Sequence, residues 1–400
     1  MLVAIALVIF VMLLLTQAFV AGLGVFQELK AVGDMEDRLR MAATLLKRDL
    51  AADHWEGRKR LSDPTFFVQG PPQTGFLRIW QGSAATLEGT DGDGLPSYVA
   101  TDHLLHMMVK LRGNNRQDYF FADISGDTTP SPLNFSGATA GAADSRYQTT
   151  ATGTSAGIYA CQIAEVAYFL RPMGDFANGT ALYTLYRRQR LAVPDNTNLN
   201  WSSPVSNKWL NTTAAYSEVS CKPNPLSPNP TSGNIYFNNP TDLTVPQRRF
   251  GMVSASGTTT GNGGIPVRSD FRYPIMADPL PNPAVPGVDI LPGAPGADIL
   301  LTDVISFEIK ILDRTTGSFV DVPYSNAVTG NPLFNGTSGT QRVFDTWSSV
   351  KDDVYDYSTS SADPNTRIPL QITIPAIKIT LRIWDKRSQR TRQVTILQDM

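Results

Sequence analysis

The chain has 400 residues, enough for one large domain or two ordinary ones with a sizeable core. Its 34 Lys and Arg balance 36 Asp and Glu, and a formal net charge of −2 excludes the cationic footprint of a nucleic-acid binder. Charged residues make up only 18 %, Gly (31) and Pro (28) are abundant, and two Cys and three His leave little material for a metal cluster or a Cys/His catalytic centre. A loop-rich β protein fits this composition better than a helical cytosolic enzyme.

Residues 1–26 hold no charged side chain, and Thr16 and Gln17 are the strongly polar members. As a helix this run spans roughly 39 Å, enough for a hydrocarbon core of about 30 Å. A cleaved signal peptide carries a basic start and a shorter apolar stretch. Here no Lys or Arg precedes the run, so it reads as a retained membrane helix. From 27 to 53 the chain has strong helix formers, balanced charge and no proline. Leu29, Val32, Leu39, Ala43, Leu46 and Leu50 recur at helical spacing. The sequence therefore predicts one long helix: 1–26 in lipid, then 27–56 as an amphipathic continuation laid on a folded body, 57–400. Gly22, Gly24 and Gly33 are its weak points.

The run Met1-Leu2-Val3-Ala4-Ile5-Ala6-Leu7-Val8-Ile9-Phe10 resembles the start of mature type IV pilins and type II secretion pseudopilins. Those begin Phe-Thr-Leu-Ile-Glu and continue with an apolar residue and Leu-Val-Ala-Ile-Ala. In that alignment Met1 falls just after the family's glutamate. The expectation is that translation begins upstream, at a short basic leader ending in Gly before Phe-Thr-Leu-Ile-Glu or a close variant. Leu2, Ile5, Ile9, Leu13 and Leu14 are the membrane and filament-core residues that the resemblance implies.

Beyond Trp55, short apolar runs alternate with turn clusters, and strands are predicted over 76–80, 104–111, 159–170 and 182–187. In 305–311, Ile305, Phe307, Ile309 and Ile311 alternate with Ser306, Glu308 and Lys310. In 377–383, Ile377, Ile379, Leu381 and Ile383 alternate with Lys378, Thr380 and Arg382. Both patterns predict antiparallel strands with one wet face. Asp385 to Gln389 read as the turn of a final hairpin that returns through Val394 to Leu397. Two stretches break the pattern. Residues 125–157 are rich in Gly, Ala, Ser and Thr, and 223–295 hold half of the prolines. Both are expected to be long surface insertions or loops.

The body is similar, in chain order, to the J-type minor pseudopilin of type II secretion. Leu45-Leu46-Lys47-Arg48-Asp49-Leu50 resembles that family's helix end. Val166-Ala167-Tyr168-Phe169-Leu170 and Leu185-Tyr186-Arg187-Arg188 resemble its Tyr-x-Leu and Leu-x-Arg strand pair. Asp303-Val304-Ile305-Ser306-Phe307 resembles its Gly/Asp-Val-x-x-Phe strand, and Trp347 with Arg367-Ile368-Pro369 completes the run. Typical members are about half this length, and the two insertions are departures from them.

Catalytic signals fail on context. Gly153-Thr154-Ser155-Ala156-Gly157 matches G-x-S-x-G, but a low-complexity loop precedes it, and His54, His103 and His106 all lie upstream. No Lys is followed by Ser or Thr, so no Walker A phosphate loop exists. His103 and His106 are three apart in a predicted strand and so point to opposite faces. Asp91 and Asp93, in Asp91-Gly92-Asp93-Gly94, form an Asp-Gly turn with calcium as the alternative, although an EF-hand's bidentate Glu is missing. Cys161 and Cys221 are a candidate disulfide, since exported proteins favour pairing, and two buried thiols are the alternative.

The sequence is thus read as α+β, with a long membrane-spanning helix packed on an antiparallel, pilin-like β-sheet body. The expected function is that of a non-enzymatic minor pseudopilin. The resemblance implies a place at the tip of a type II secretion pseudopilus or type IV pilus-like filament, promoting assembly and protein export. Its partners would be other pilin-like subunits and the bacterial inner membrane, with the C-terminal domain in the periplasm. No nucleic acid, small-molecule substrate or cofactor is implied beyond the calcium alternative. The second reading is a membrane-anchored exported β domain that binds a ligand or polymer without forming filaments.

Overall fold

A computed structural model describes residues 1–57, 59–66, 72–81, 86–90, 96–123, 158–177, 179–193, 219–223, 235–244, 249, 297–322, 342–346, 372–386 and 388–400. A single helix, α1 (Leu2–Ala51), opens the chain. It stops where Ala52 turns extended and the Asp53 carbonyl accepts the Lys110 N–H at 2.9 Å.

The strands follow in chain order. β1 (Leu77–Gln81) precedes the small hairpin of β2 (Thr86–Thr90) and β3 (Pro96–Val99), and then comes β4 (His103–Lys110). β5 (Phe120–Asp123) pairs with β6 (Ile158–Cys161), and β7 (Ile163–Ala177) with β8 (Thr180–Leu191) in a long hairpin. β9 (Cys221–Pro223) pairs with β10 (Ile235–Phe237). β11 (Ala297–Leu312), β12 (Phe319–Val320), β13 (Arg342–Asp345), β14 (Ala376–Asp385) and β15 (Arg390–Asp399) complete the body. The main sheet is antiparallel, in the order β13-β1-β4-β7-β8-β11-β14-β15, with β12 on β11. The fold is α+β, with a long N-terminal helix on a large antiparallel sheet.

The sheet curls. β11 pairs with β8 only as far as Val304, across register shifts around Leu301. Asp303, inside that break, has φ 58°, a left-handed conformation that Asp tolerates better than most residues. Past it, Phe307 N–H donates to the Ala100 carbonyl (2.9 Å) and Ile309 N–H to His103 Nδ1 (3.0 Å). Gln81 Nε2 donates to the Ile309 carbonyl at 2.6 Å. The ends of β1 and β4 thus meet β11 although β7 and β8 lie between them in the sheet.

This closure corrects the expected wet face of 305–311. Ser306 and Glu308 are buried, because the chain before β4 lies over them. In β14 the alternation holds: Ile377, Ile379, Leu381 and Ile383 are buried, while Lys378, Thr380 and Arg382 are half-exposed. Asp385 pairs with Arg390 across the final turn, as the sequence predicts. The expected strand 159–170 is two strands, broken at Gln162, with β6 turned away to pair with β5.

α1 crosses the concave face of the sheet diagonally. Glu28 meets Arg390 of β15, Arg38 meets Thr302 of β11, Asp49 meets Arg187 of β8 and Tyr168 of β7, and His54 meets Met108 of β4. Ala31, Met35, Leu39, Ala42, Ala43, Leu46 and Leu50 form the buried stripe. Fully burying a leucine such as Leu46 contributes about 1.5–3 kcal/mol. Leu29, expected in this stripe, is instead 66 % exposed, because it lies on the side of the helix that carries Glu36 and Arg40, turned away from the sheet. The described part of the Pro-rich stretch also departs from a surface loop. Val193 N–H donates to the Asn238 carbonyl (2.9 Å), and Leu243 and Arg249 are buried. Residues 125–157, Trp347 and Arg367-Ile368-Pro369 lie outside the described residues.

Candidate assembly helix and its buried anchor

The first 26 residues of the chain are all exposed. Leu2, Ile5, Ile9, Leu13 and Leu14 are between 49 % and 85 % exposed. Thr16 Oγ1 donates back to the Met12 carbonyl at 2.8 Å, so its hydroxyl is satisfied within the helix. Among the described residues, α1 is the one helix long and apolar enough to cross a membrane, and its apolar window is not buried by the body. Exposed apolar surface on this scale marks an interaction site with lipid or protein.

The other end of the helix is fixed by charge. Asp49, fully buried in the last turn, accepts from Tyr168 Oη (2.6 Å) and Arg187 Nε (2.7 Å) on one carboxylate oxygen. Arg48 donates to the other at 3.1 Å. Tyr168 and Arg187 stand directly opposite each other in the β7–β8 pairing and so share one face of the sheet. Arg187 continues to Gln189 Oε1 at 2.7 Å. Burial, and then the Asp49 charge, push the Tyr168 phenol well above its usual range, which keeps it a donor. Burial opposes the Arg187 charge, but Asp49 and Tyr168 outweigh it and raise its pKa. The helix-end run 45–50 and the strand-pair runs 166–170 and 185–188 therefore meet in one buried network. Sequence reading named them as separate matches, since strand register across a hairpin bulge is not visible in spacing.

A second latch lies midway along the helix. Arg38 donates to the Thr302 carbonyl and hydroxyl, both at 2.8 Å, and approaches the Asp303 carboxylate at 4.0 Å. The left-handed turn at Asp303 thus sits where the helix crosses β11.

The opposite face of the sheet holds another polar cluster. Glu165 lies 2.9 Å from His106 Nε2 and accepts from the Ser220 hydroxyl at 2.5 Å, while Asn238 Nδ2 donates to Ser220 Oγ at 2.9 Å. Here the acid occupies the middle place that the histidine takes in an activated-serine triad. Burial pulls the His106 pKa down against the pull of Glu165. Arg249 donates to Asp345 at 2.8 Å and lies 3.6 Å over the Phe76 ring, which ties it to β13 and to the residue before β1. His103 points away to Ile309, so the two histidines do not converge. No group of three or more His, Cys, Asp or Glu among the described residues is placed to hold a metal.

Cys161 is buried, and its Sγ accepts from the Ile163 N–H at 3.3 Å. The Cys221 side chain, Asp91, Asp93 and Gly153 to Gly157 lie outside the described residues. Comparison with known proteins finds no protein family, no curated protein and no solved structure that matches the chain.

Proposed function

We propose that the chain is a membrane-anchored structural subunit of the pilin type. Its helix holds it in the inner membrane, with the β body on the periplasmic side. It then leaves lipid to pack among other pilin-like helices at the core of a short filament that serves protein export. The observation that supports this best is the division of α1: no residue before Ala31 is buried, whereas from Ala31 onward the same helix is locked to the sheet by a hydrophobic stripe and the Asp49 network. A tether to a freely moving domain has no need of that rigid continuity. A subunit whose body must follow its helix into a lattice does. Lipid and a helical filament core both accept the same apolar surface.

The test is a charge in the middle of the run. Leu14→Lys, at a cost of about 2.5–3.5 kcal/mol near the bilayer centre, is expected to reduce membrane insertion and entry into filaments together. Carbonate extraction and filament pull-down read the two effects. Intact anchoring with normal assembly contradicts the proposal.

A further inference from the structure

The exposed side of the body half of α1 is charge-polarised. Asp34, Glu36 and Asp37 come first, and Arg40, Lys47 and Arg48 follow, all of them exposed. Among the described residues, the ion pairs of this half are Glu28–Arg390, Arg38–Asp303 and those of Asp49 with Arg48 and Arg187. Asp34, Glu36, Asp37, Arg40 and Lys47 are exposed and form no ion pair among the described residues. The helix is continuous with the apolar segment, so whatever packs on that segment meets this face next.

We propose that this face docks the same face of a second, parallel copy of the chain displaced by eleven residues along the axis, three helical turns or about 16.5 Å. Eleven residues leave a rotation of only about 20° from three whole turns, so both copies present the same side. At that offset Glu36 of one copy lies beside Lys47 of the other, and Asp37 beside Arg48. Gly33 lies beside Thr44. A Cβ built at Gly33 meets nothing within 4 Å in its own chain, which leaves room for a neighbour. Lys30 comes beside Met41, and Leu29 beside Arg40, whose aliphatic stem can cover apolar surface. Leu29 and Met41 are the two large apolar side chains that this half exposes.

The same pattern works against pairing without offset. Two copies anchored in one bilayer share one depth, which sets Glu36 against Glu36 and Lys47 against Lys47. Like charges so juxtaposed oppose association. Attraction arrives once one copy has moved along its axis by three turns. The face thus favours stacking during assembly over lateral pairing in the membrane. This inference rests on the filament reading and adds the register.

The test is cysteine crosslinking of the full chain in cells that are assembling filaments. One copy carries Gly33→Cys and a differently tagged copy carries Thr44→Cys, with bands assigned by mass mapping to separate them from Cys161 and Cys221. The mixed disulfide is expected to exceed severalfold either same-position disulfide. Glu36→Lys should lower it severalfold, and Glu36→Lys together with Lys47→Glu should restore it. Same-position disulfides equal to or above the mixed one, or a charge swap that fails to restore the yield, overturn the register. Co-purification of pilin-like subunits with the tagged full chain separates the two readings. If they co-purify while the mixed pair does not crosslink, the filament reading stands and the offset falls. If neither is seen, both fall.

Discussion

Asp49 is the residue on which the orientation of the helix turns. Its carboxylate is fully buried and has three partners, so removing one member strands a charge in the core. Asp49→Ala is expected to cost about 3–5 kcal/mol, and Arg187→Met a similar amount. The double variant should cost far less than their sum, which denaturant midpoints can measure; simple additivity would mean that the pair is not coupled. The histidines set a pH dependence. Burial lowers the pKa of His54, His103 and His106 below their ordinary 6.5. Above that pH both folded and unfolded chains are neutral there, and nothing is gained or lost. Below it the unfolded chain takes up protons that the folded chain resists, so stability falls as the pH drops. The slope is about 1.4 kcal/mol per pH unit for each histidine until its folded pKa is reached. Urea midpoints at pH 7.5 and 5.5 check this, and equal values would contradict it. Asp303 shows how one backbone angle is written into sequence. Asp tolerates the positive φ found there better than most residues do.

At the scale of elements, α1 is two helices in one. Its first half has no fold to bury it, and its second cannot shed its stripe without exposing Met35, Leu39, Leu46 and Leu50. Deleting residues 1–26 is therefore expected to leave a soluble monomer whose far-ultraviolet spectrum is dominated by strand, with the rest of the helix still docked. A spectrum dominated by helix, or aggregation of the truncated chain, would count against this. These elements were legible because each obeys one period: uninterrupted apolarity in 1–26, 3.6 in the stripe, two in β14. Where two surfaces compete, the pattern misleads. Ser306 and Glu308 look like solvent positions but are covered by the chain before β4, a contact 206 residues distant in sequence for Ser306 with Ala100. Leu29 looks like a core position, yet it falls on the side of the helix that bears Glu36 and Arg40 and faces away from the sheet.

For the whole molecule, the unreadable part was convergence. Asp49, Tyr168 and Arg187 are far apart in the chain and come together only because β7 and β8 pair in one register beneath the diagonal helix. The His106–Glu165–Ser220 cluster was missed for the same reason: Ser220 sits beside a Pro-rich stretch that composition assigns to the surface, while Arg249 and Leu243 in fact bind that stretch to the sheet. The curled sheet is joined through the buried stripe and the Asp49 network to a helix that is bare for its first half. The central claim is that this bare half assembles with other pilin-like helices. Co-purification measures it most directly: the full chain and a chain lacking residues 1–26, each tagged at the C-terminus, are purified from whole cells solubilised in mild detergent, and bound proteins are identified by mass spectrometry. The account expects pilin-like subunits with the full chain and their loss with the truncated one. Recovery of the full chain without any pilin-like subunit, or equal recovery of such subunits with both chains, would contradict it.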